Sequence, residues 1–291
     1  MKITVVGLGG DSLFMGVDHF HREGETLAAT SFFSEPGGKG YNQAVAAARL
    51  GGEVAFLGAF GKDAGSEKCI SFLKNEGITP LVAYKDVPCA CACILTDRAG
   101  ENRVTVFGGA ASLLSAEDAE GFKGQISASQ ILILQNEVPV QANRAAFEIA
   151  KKAGVTVMFN PAPAVGVDRE LLTAADIITP NKHEAQVLFG EDYKSGIEQS
   201  GIKTAVVTLG GDGADLYDKG CWTHIPSYKV RPIDTTGGGD CFNGALAVGI
   251  CMGKNLAQSC DFACKAASIA VSRPHAVEAM PRFVDISSKN K

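Results

Sequence analysis

The sequence predicts an α/β fold on a mostly parallel sheet, with a small second sheet set apart from it, and three observations carry that prediction. The first is a series of short, continuously apolar segments that alternate with helical patterns. The second is a pair of stretches, residues 11–36 and 89–107, in which short polar-punctuated strands follow one another without a helix. The third is size: 291 residues with 46% hydrophobic content can bury one large core. No linker, repeat or composition shift divides the chain, so residues 1–291 read as a single domain.

The apolar segments are ITVV near the start, VAFLGAF, ILIL at 131–134, VTVMF at 155–159, DIIT at 176–179 and AVVTLG at 205–210. Continuous rather than alternating apolar strands belong to a sheet covered on both faces, the mark of parallel α/β architecture. Between them lie the helical patterns YNQAVAAARL, VQANRAAFEIAKKAG and HEAQVLFG, and the first two run into a glycine suited to ending a helix. LAATSFF, ACACILTD and RVTVFGG are the strands of the two helix-free stretches, placed to pair into a sheet that covers a site as a lid. From 239 onward the chain reads as two helices, GDCFNGALAVGICMG and LAQSCDFACKAASIAVSR, and a short tail.

Composition excludes several classes of function. The 34 glycines follow no period, which removes collagen-like and low-complexity readings and assigns the excess to turns and ligand loops. A net charge of -5 argues against a nucleic-acid surface. No apolar run reaches the ~18–20 residues of a membrane span, and MKITVVGLGG reads as a strand entering glycines rather than a signal peptide, which points to the cytoplasm. The nine cysteines, an odd number in a chain that needs no staples, read as reduced thiols. Cys89, Cys91 and Cys93 alternate along one strand face, unlike a zinc knuckle, and read with Cys260 and Cys264 as small buried hydrophobes.

The chemistry concentrates in glycine-rich helix entries. A dinucleotide fingerprint from Gly7 fails at Ser12, and GGKG at 37–40 lacks the rest of a Walker A loop. DTTGGGDCFNG at 234–244 puts Gly237, Gly238 and Gly239 at a helix N-terminus, where unpaired amides bind anions and missing side chains admit a phosphate. Asp240 then has two readings: a helix N-cap, or a base that takes a proton from a hydroxyl attacking phosphorus. EPGGKGYNQ offers Lys39 and Asn42 on the first turn of a helix, a cation and a two-way amide suited to a polyol. PNKHEAQ pairs Asn181 with Glu184 as a capping box would, and VTLGGDGA taken alone is a hairpin turn.

Taken together and in order, GGKGYNQAVAAARLG, NPAPA at 160–164, PNKHEA, VTLGGDGA and DTTGGGDCFNGALA resemble the ribokinase-like (PfkB) carbohydrate kinase family over nearly the whole chain. The resemblance implies a three-layer α/β/α sandwich with a small β-sheet lid, and transfer of the γ-phosphate of ATP, with Mg2+, to a hydroxymethyl group. It implies Asp240 as catalytic base and the amides of Gly237, Gly238 and Gly239 as the anion hole. It further implies Asp11, Gly38, Lys39, Asn42 and Glu137, with Asp240, around the sugar. Asn181, Thr208, Gly210, Gly213 and Gly239 fall at the nucleotide, Asn181 and Glu184 at Mg2+ through water, and Asp234 and Thr236 at a monovalent cation such as K+. D-Ribose leads the implied substrates, with another sugar such as fructose or deoxyribose, or a nucleoside, as alternatives; apart from the resemblance, the exposed edges of the lid are expected to pair two chains into a homodimer. The family's N-x-D after the first strand reads Gly9-Gly10-Asp11 here, which removes one sugar contact, and the cation loop reads HAVEAMP, with His275 for glycine and Ala279 for serine. His183 is expected to face solvent, and His19 and His21 have no assigned partner. The rival reading from another class is a catalytically silent sugar or nucleotide sensor on the same fold.

Overall fold

The computed structural model describes residues 1–287. In chain order its strands are β1 (Lys2–Val6), β2 (Gly10–Gly16), β3 (Ser31–Gly37), β4 (Glu53–Phe60), β5 (Thr79–Tyr84), β6 (Ala90–Thr96), β7 (Asn102–Phe107), β8 (Ile131–Gln135), β9 (Thr156–Asn160), β10 (Ile177–Ile178), β11 (Thr204–Thr208), β12 (Ala214–Asp218) and β13 (Cys221–Ile225). Nine of them form one sheet in the order β13-β12-β11-β10-β9-β8-β1-β4-β5. Every neighbour from β5 to β11 is parallel, and β12 and β13 add an antiparallel hairpin at one edge.

All six apolar segments singled out in the sequence lie in this sheet. Along β1, Ile3 and Val5 enter one apolar cluster and Val6 the other, so the sheet buries both faces and the molecule has three layers. The first cluster packs against the helices Lys39–Arg49, Gly238–Cys251 and Leu256–Val271, and the second against Val140–Lys152. Gly244 permits the first two helices to touch: a Cβ there would lie 2.6 Å from Gln43 O and 2.7 Å from Ala46 Cβ. The edge strands β5 and β13 gave no clear signal, because edge strands carry proline or polar residues that an interior strand excludes, and β12, interior but short and interrupted by Asp215, gave none either.

The two helix-free stretches form the separate four-stranded sheet, in the order β3-β2-β6-β7. Its strands differ from the sequence reading in extent: residues 27–30 of LAATSFF lie outside β3, which runs on to Gly37. Leu256–Val271 is followed by a further short helix, Phe283–Ser287, rather than only a tail. All nine cysteines are free thiols. Cys89, Cys260 and Cys264 are buried as expected, whereas Cys91 and Cys93 are half-exposed because the second sheet is thin and uncovered over part of that face.

Parallel strands bring their carboxyl ends to one edge, and helix N-termini follow them there. Gln135, Asn160 and Thr208 end β8, β9 and β11, and the helices starting at Lys39 and Gly238 begin beside them. The site grows from that edge.

Candidate active site

A cleft of about 170 Å³ opens there, lined by Lys39, Asn160, Ala162, Thr179, Asn181, Glu184, Thr208, Gly237, Gly239, Asp240 and Asn243. Asp240 is the key side chain. The helix N-cap is Gly237, with a left-handed φ of 74°, so Asp240 lies inside the first turn and its carboxylate is not the cap. It is buried, and accepts hydrogen bonds from Asn42 Nδ2 at 2.9 Å and Gln43 Nε2 at 3.1 Å. Burial pushes its pKa up, against the opposing pull of the Lys39 ammonium and the two amides.

The amide chain continues beneath the floor. Gln43 Nε2 also donates to Asn160 Oδ1 at 3.1 Å, Gln135 Nε2 donates to Gln43 Oε1 at 2.8 Å, and Asn160 Nδ2 donates to Thr179 O at 2.7 Å. Thr179 Oγ1 donates to Asn243 Oδ1, whose amide nitrogen donates to Gly239 O at 2.9 Å. Each side chain holds the next in one rotamer, which orients the carboxylate without making it solvent-exposed.

Lys39 lies across the cleft from Asp240. Burial lowers its pKa, but Asp240, Glu137 and Glu184 outweigh that and leave it raised, so the ammonium stays charged. Glu137 accepts from the Lys39 amide at 2.7 Å, and its pKa is pushed up to about 7, mainly by burial, with Lys39 opposing and the Asp240 charge adding. Glu184 is likewise raised by burial, against the Asn181 amide and Lys39. Asn181 and Glu184 form a reciprocal capping box at 2.8 Å each way, so the local structural reading of PNKHEA holds as well as its position in the cleft. Asn42 Oδ1 is buried without a partner.

The glycines differ in their constraint. A Cβ at Gly238 would lie 2.8 Å from Val271 Cγ1, while one at Gly239 would meet nothing within 4 Å. The protein therefore does not itself require glycine at 239; the space beside it belongs to the cleft. The Gly238 amide donates to Thr235 O at 3.2 Å, which leaves Gly237 and Gly239 as the glycines of this turn that line the cleft.

Thr208 lines the cleft, and Gly210 and Gly213 follow in the tight turn that joins β11 to β12, so VTLGGDGA is both a hairpin turn and a site loop. Gly38, with φ 116°, caps the helix that carries Lys39 and Asn42. Asp234 Oδ1 accepts from the Thr236 amide at 2.9 Å. His183 is exposed, and His19 is hydrogen-bonded to Glu25 at 2.9 Å.

Asp11 does not line this cleft. It receives Lys68 Nζ at 2.7 Å and Ser34 Oγ at 3.2 Å, on the side of the second sheet that meets the helix Ala64–Asn75. Successive residues of β2 point to opposite faces, so Ser12, paired with Glu35, takes the side of Gly37. The residues that the motifs did not single out are Gln43, Thr179 and Asn243, together with Asn160 inside NPAPA. Gln43 and Asn243 were visible as polar residues on apolar helix faces, the signal that a buried network leaves in a sequence.

The chain matches the family of pfkB carbohydrate kinases over residues 4–282 and belongs to it. Within that class it is 36% identical over 290 residues to a ribokinase of Haemophilus influenzae, covering 96% of this chain and 95% of that one. The ribokinase of Thermotoga maritima superposes with a TM-score of 0.90 at 36% identity, covering 98% of each chain. That of Arabidopsis thaliana, complexed with ribose and ATP, gives 0.89 at 28% identity, covering 98% of this chain and 97% of that one.

Proposed function

We propose that this chain transfers the γ-phosphoryl group of ATP to the hydroxymethyl group of D-ribose, giving ribose 5-phosphate and ADP. The observation that carries the reading is Asp240, a buried carboxylate held by two amides beside the glycine turn of a helix N-terminus and facing Lys39. A base near the operating pH is what proton removal from a hydroxyl requires, and burial moves Asp240 in that direction. The sugar lies over Asn42, Glu137 and Asp240, beside Gly38 and Lys39. Asn42 Oδ1, buried and unpartnered, accepts from a sugar hydroxyl, and the Glu137 carboxylate accepts two more. Asp240 takes the hydroxymethyl proton as the new O–P bond forms and the bond to the ADP oxygen breaks. The amides of the Gly237–Gly239 turn and the Lys39 ammonium meet the charge on the transferring group. Thr208, Gly210 and Gly213 lie where the nucleotide reaches the edge of the sheet.

Glu184 and Asn181 fit Mg2+ held through water: two carboxylates, Glu184 and Asp240, face Lys39 in the cleft, leaving negative charge for a dication, and no cluster of three metal-ligating side chains exists among the described residues. When bound, the ion neutralises phosphate charge. A monovalent cation fits less well beside Asp234 and Thr236. Ala279 offers no hydroxyl, and the carbonyls of Val277, Glu278 and Met280 are turned toward the Arg49 guanidinium, whose charge repels a second cation. No step is assigned to K+.

We also read the protein as a cytoplasmic homodimer joined through the second sheet. No helix among the described residues is long and apolar enough to cross a membrane. Val104, Val106 and Phe107 of the edge strand β7 are 57%, 64% and 55% exposed, an open apolar edge suited to a second copy. Sedimentation of wild type and Val106→Lys tests this; a monomer at micromolar concentration would remove it.

The functional test is ADP release from MgATP with ribose, deoxyribose, fructose and nucleosides, for wild type and Asp240→Asn. Ribose turnover lost in the variant is expected. Preference for a different acceptor would move the assignment within the kinases. ATP or sugar binding without turnover of any acceptor would mean a sensor.

A further inference from the structure

The loop from His275 to Met280 lies directly behind the glycine turn. A Cβ on Gly237 would sit 3.2 Å from Met280 Cε and 3.3 Å from Ala276 Cβ, so a shift of this loop moves against the turn. The body of the protein holds the loop through Arg49, whose guanidinium donates to the carbonyls of Val277, Glu278 and Met280 at 2.8, 3.2 and 3.0 Å. The other grip comes from the second sheet. Glu35 of β3 is 3% exposed, and its two carboxylate oxygens accept from the backbone amides of Ala276 at 2.9 Å and Glu278 at 3.3 Å. Two residues before it, on the same face, the Phe33 ring stacks on His275 with centroids 3.9 Å apart and planes at 23°. His275 has a φ of 72°, a conformation that an unbranched glycine adopts freely and an imidazole does not, so the stack is held at some local expense.

Glu35 is a buried carboxylate that does not line the cleft and pairs with no lysine or arginine among the described residues, and nothing in the mechanism above uses it. Its two oxygens are spent on two amides of one loop, across a sequence separation of more than two hundred residues. The strand that carries it runs without a break through Gly37 into Gly38 and Lys39 at the sugar side of the cleft.

We propose that Glu35, together with the Phe33–His275 stack, is a positioning device that couples the seating of the second sheet over the sugar to the geometry of the phosphoryl-binding turn at Gly237. It rests on the kinase reading, and it assigns to β3 a task besides covering the sugar. When the sheet seats, the carboxylate draws the amides of Ala276 and Glu278 with it, and the loop backs the turn. When the sheet lifts, those amides lose their acceptor and the loop relaxes away from Gly237. The turn is thereby complete only when an acceptor hydroxyl is in place, which disfavours transfer to water.

The experiment compares wild type with Glu35→Gln, which preserves shape but removes one of the two acceptors, and with His275→Gly, which removes the stack and relieves the backbone. Steady-state kinetics are combined with amide hydrogen exchange across 275–280, with and without ribose. In wild type, ribose is expected to slow exchange at Ala276 and Glu278 by roughly tenfold although the loop does not line the cleft. Glu35→Gln is expected to lose that response and to lower kcat by about tenfold, with KM for ribose and ATP changed less than about threefold. ATP hydrolysis without sugar should rise relative to transfer. Unchanged kcat in both variants, or a lower melting temperature with kcat per folded molecule intact, would reduce Glu35 to a structural contact and overturn the proposal. Loop exchange in wild type indifferent to ribose would overturn it equally. Failure of the kinase reading looks different: wild type itself would turn over no acceptor.

Discussion

Gln43→Met is the perturbation that tests the amide network beneath the cleft. Gln43 is fully buried, and its amide makes three bonds: it accepts from Gln135 at 2.8 Å and donates to Asn160 and Asp240 at 3.1 Å each. Methionine fills a similar volume and makes none of them. Gln135 Nε2 is left an orphaned donor, Asn160 Oδ1 loses its donor, and the Asp240 carboxylate keeps only Asn42. A buried polar group left unpaired costs about 1–3 kcal/mol and a charged one more, so the substitution should cost roughly 3–6 kcal/mol. Set against a total of about 5–15 kcal/mol, that is a large fraction of the stability. The melting temperature should fall by roughly 10 °C.

The same change acts on chemistry. The lost donor favoured the ionised form of Asp240, whose pKa burial already raises. Its removal raises the pKa further, and because a base works only when ionised, the acidic limb of the kcat/KM profile should move to higher pH. Thermal unfolding and a pH–rate profile are the assays. A melting temperature within about 2 °C of wild type, together with an unmoved acidic limb, would refute the reasoning, since the network would then neither stabilise the fold nor tune the carboxylate.

Other outcomes follow from the same geometry. Asp240→Asn should remain folded and lower kcat by at least ~100-fold; near-normal turnover would exclude it as the base. Glu137, raised to about 7, holds its proton more tightly folded than unfolded, so its stabilising contribution is full below about 4.5 and is lost as pH rises through 7. Glu137→Gln should flatten stability across that window in a pH series of melting curves and raise the sugar KM by about tenfold. Ribose should slow hydrogen exchange in β2, β3, β6 and β7 if they close over it, and unchanged exchange at saturation would rule out a lid. Replacing K+ by a large organic cation should change kcat by less than about twofold, given Arg49 at the loop carbonyls, and strong K+ activation would overturn that reading.

The interior strands and the motif order were legible because both are written locally. ILIL and AVVTLG are apolar throughout because a strand covered on two faces admits nothing else, and a glycine triplet before an acid declares a helix N-terminus wherever it stands. Edge strands were not legible, because part of each faces water and tolerates polar residues, as in β13, or proline, as in β5. The choice between two readings of Asp240 was likewise open: only the observed turn makes Gly237 the cap and points the carboxylate inward.

By itself the sequence determined the class of fold and the family, and it placed Lys39 and Asn42, Asn181 and Glu184, and Asp240 each at the start of a helix, because such signals are local. The tertiary structure alone decided which faces meet. It paired Asp11 of the second sheet with Lys68 of the helix Ala64–Asn75. It joined Gln43 to Asn160 and Gln135, and Glu35 to a loop more than two hundred residues further on. Those contacts depend on how separate elements pack, a relation between distant segments that no local pattern encodes.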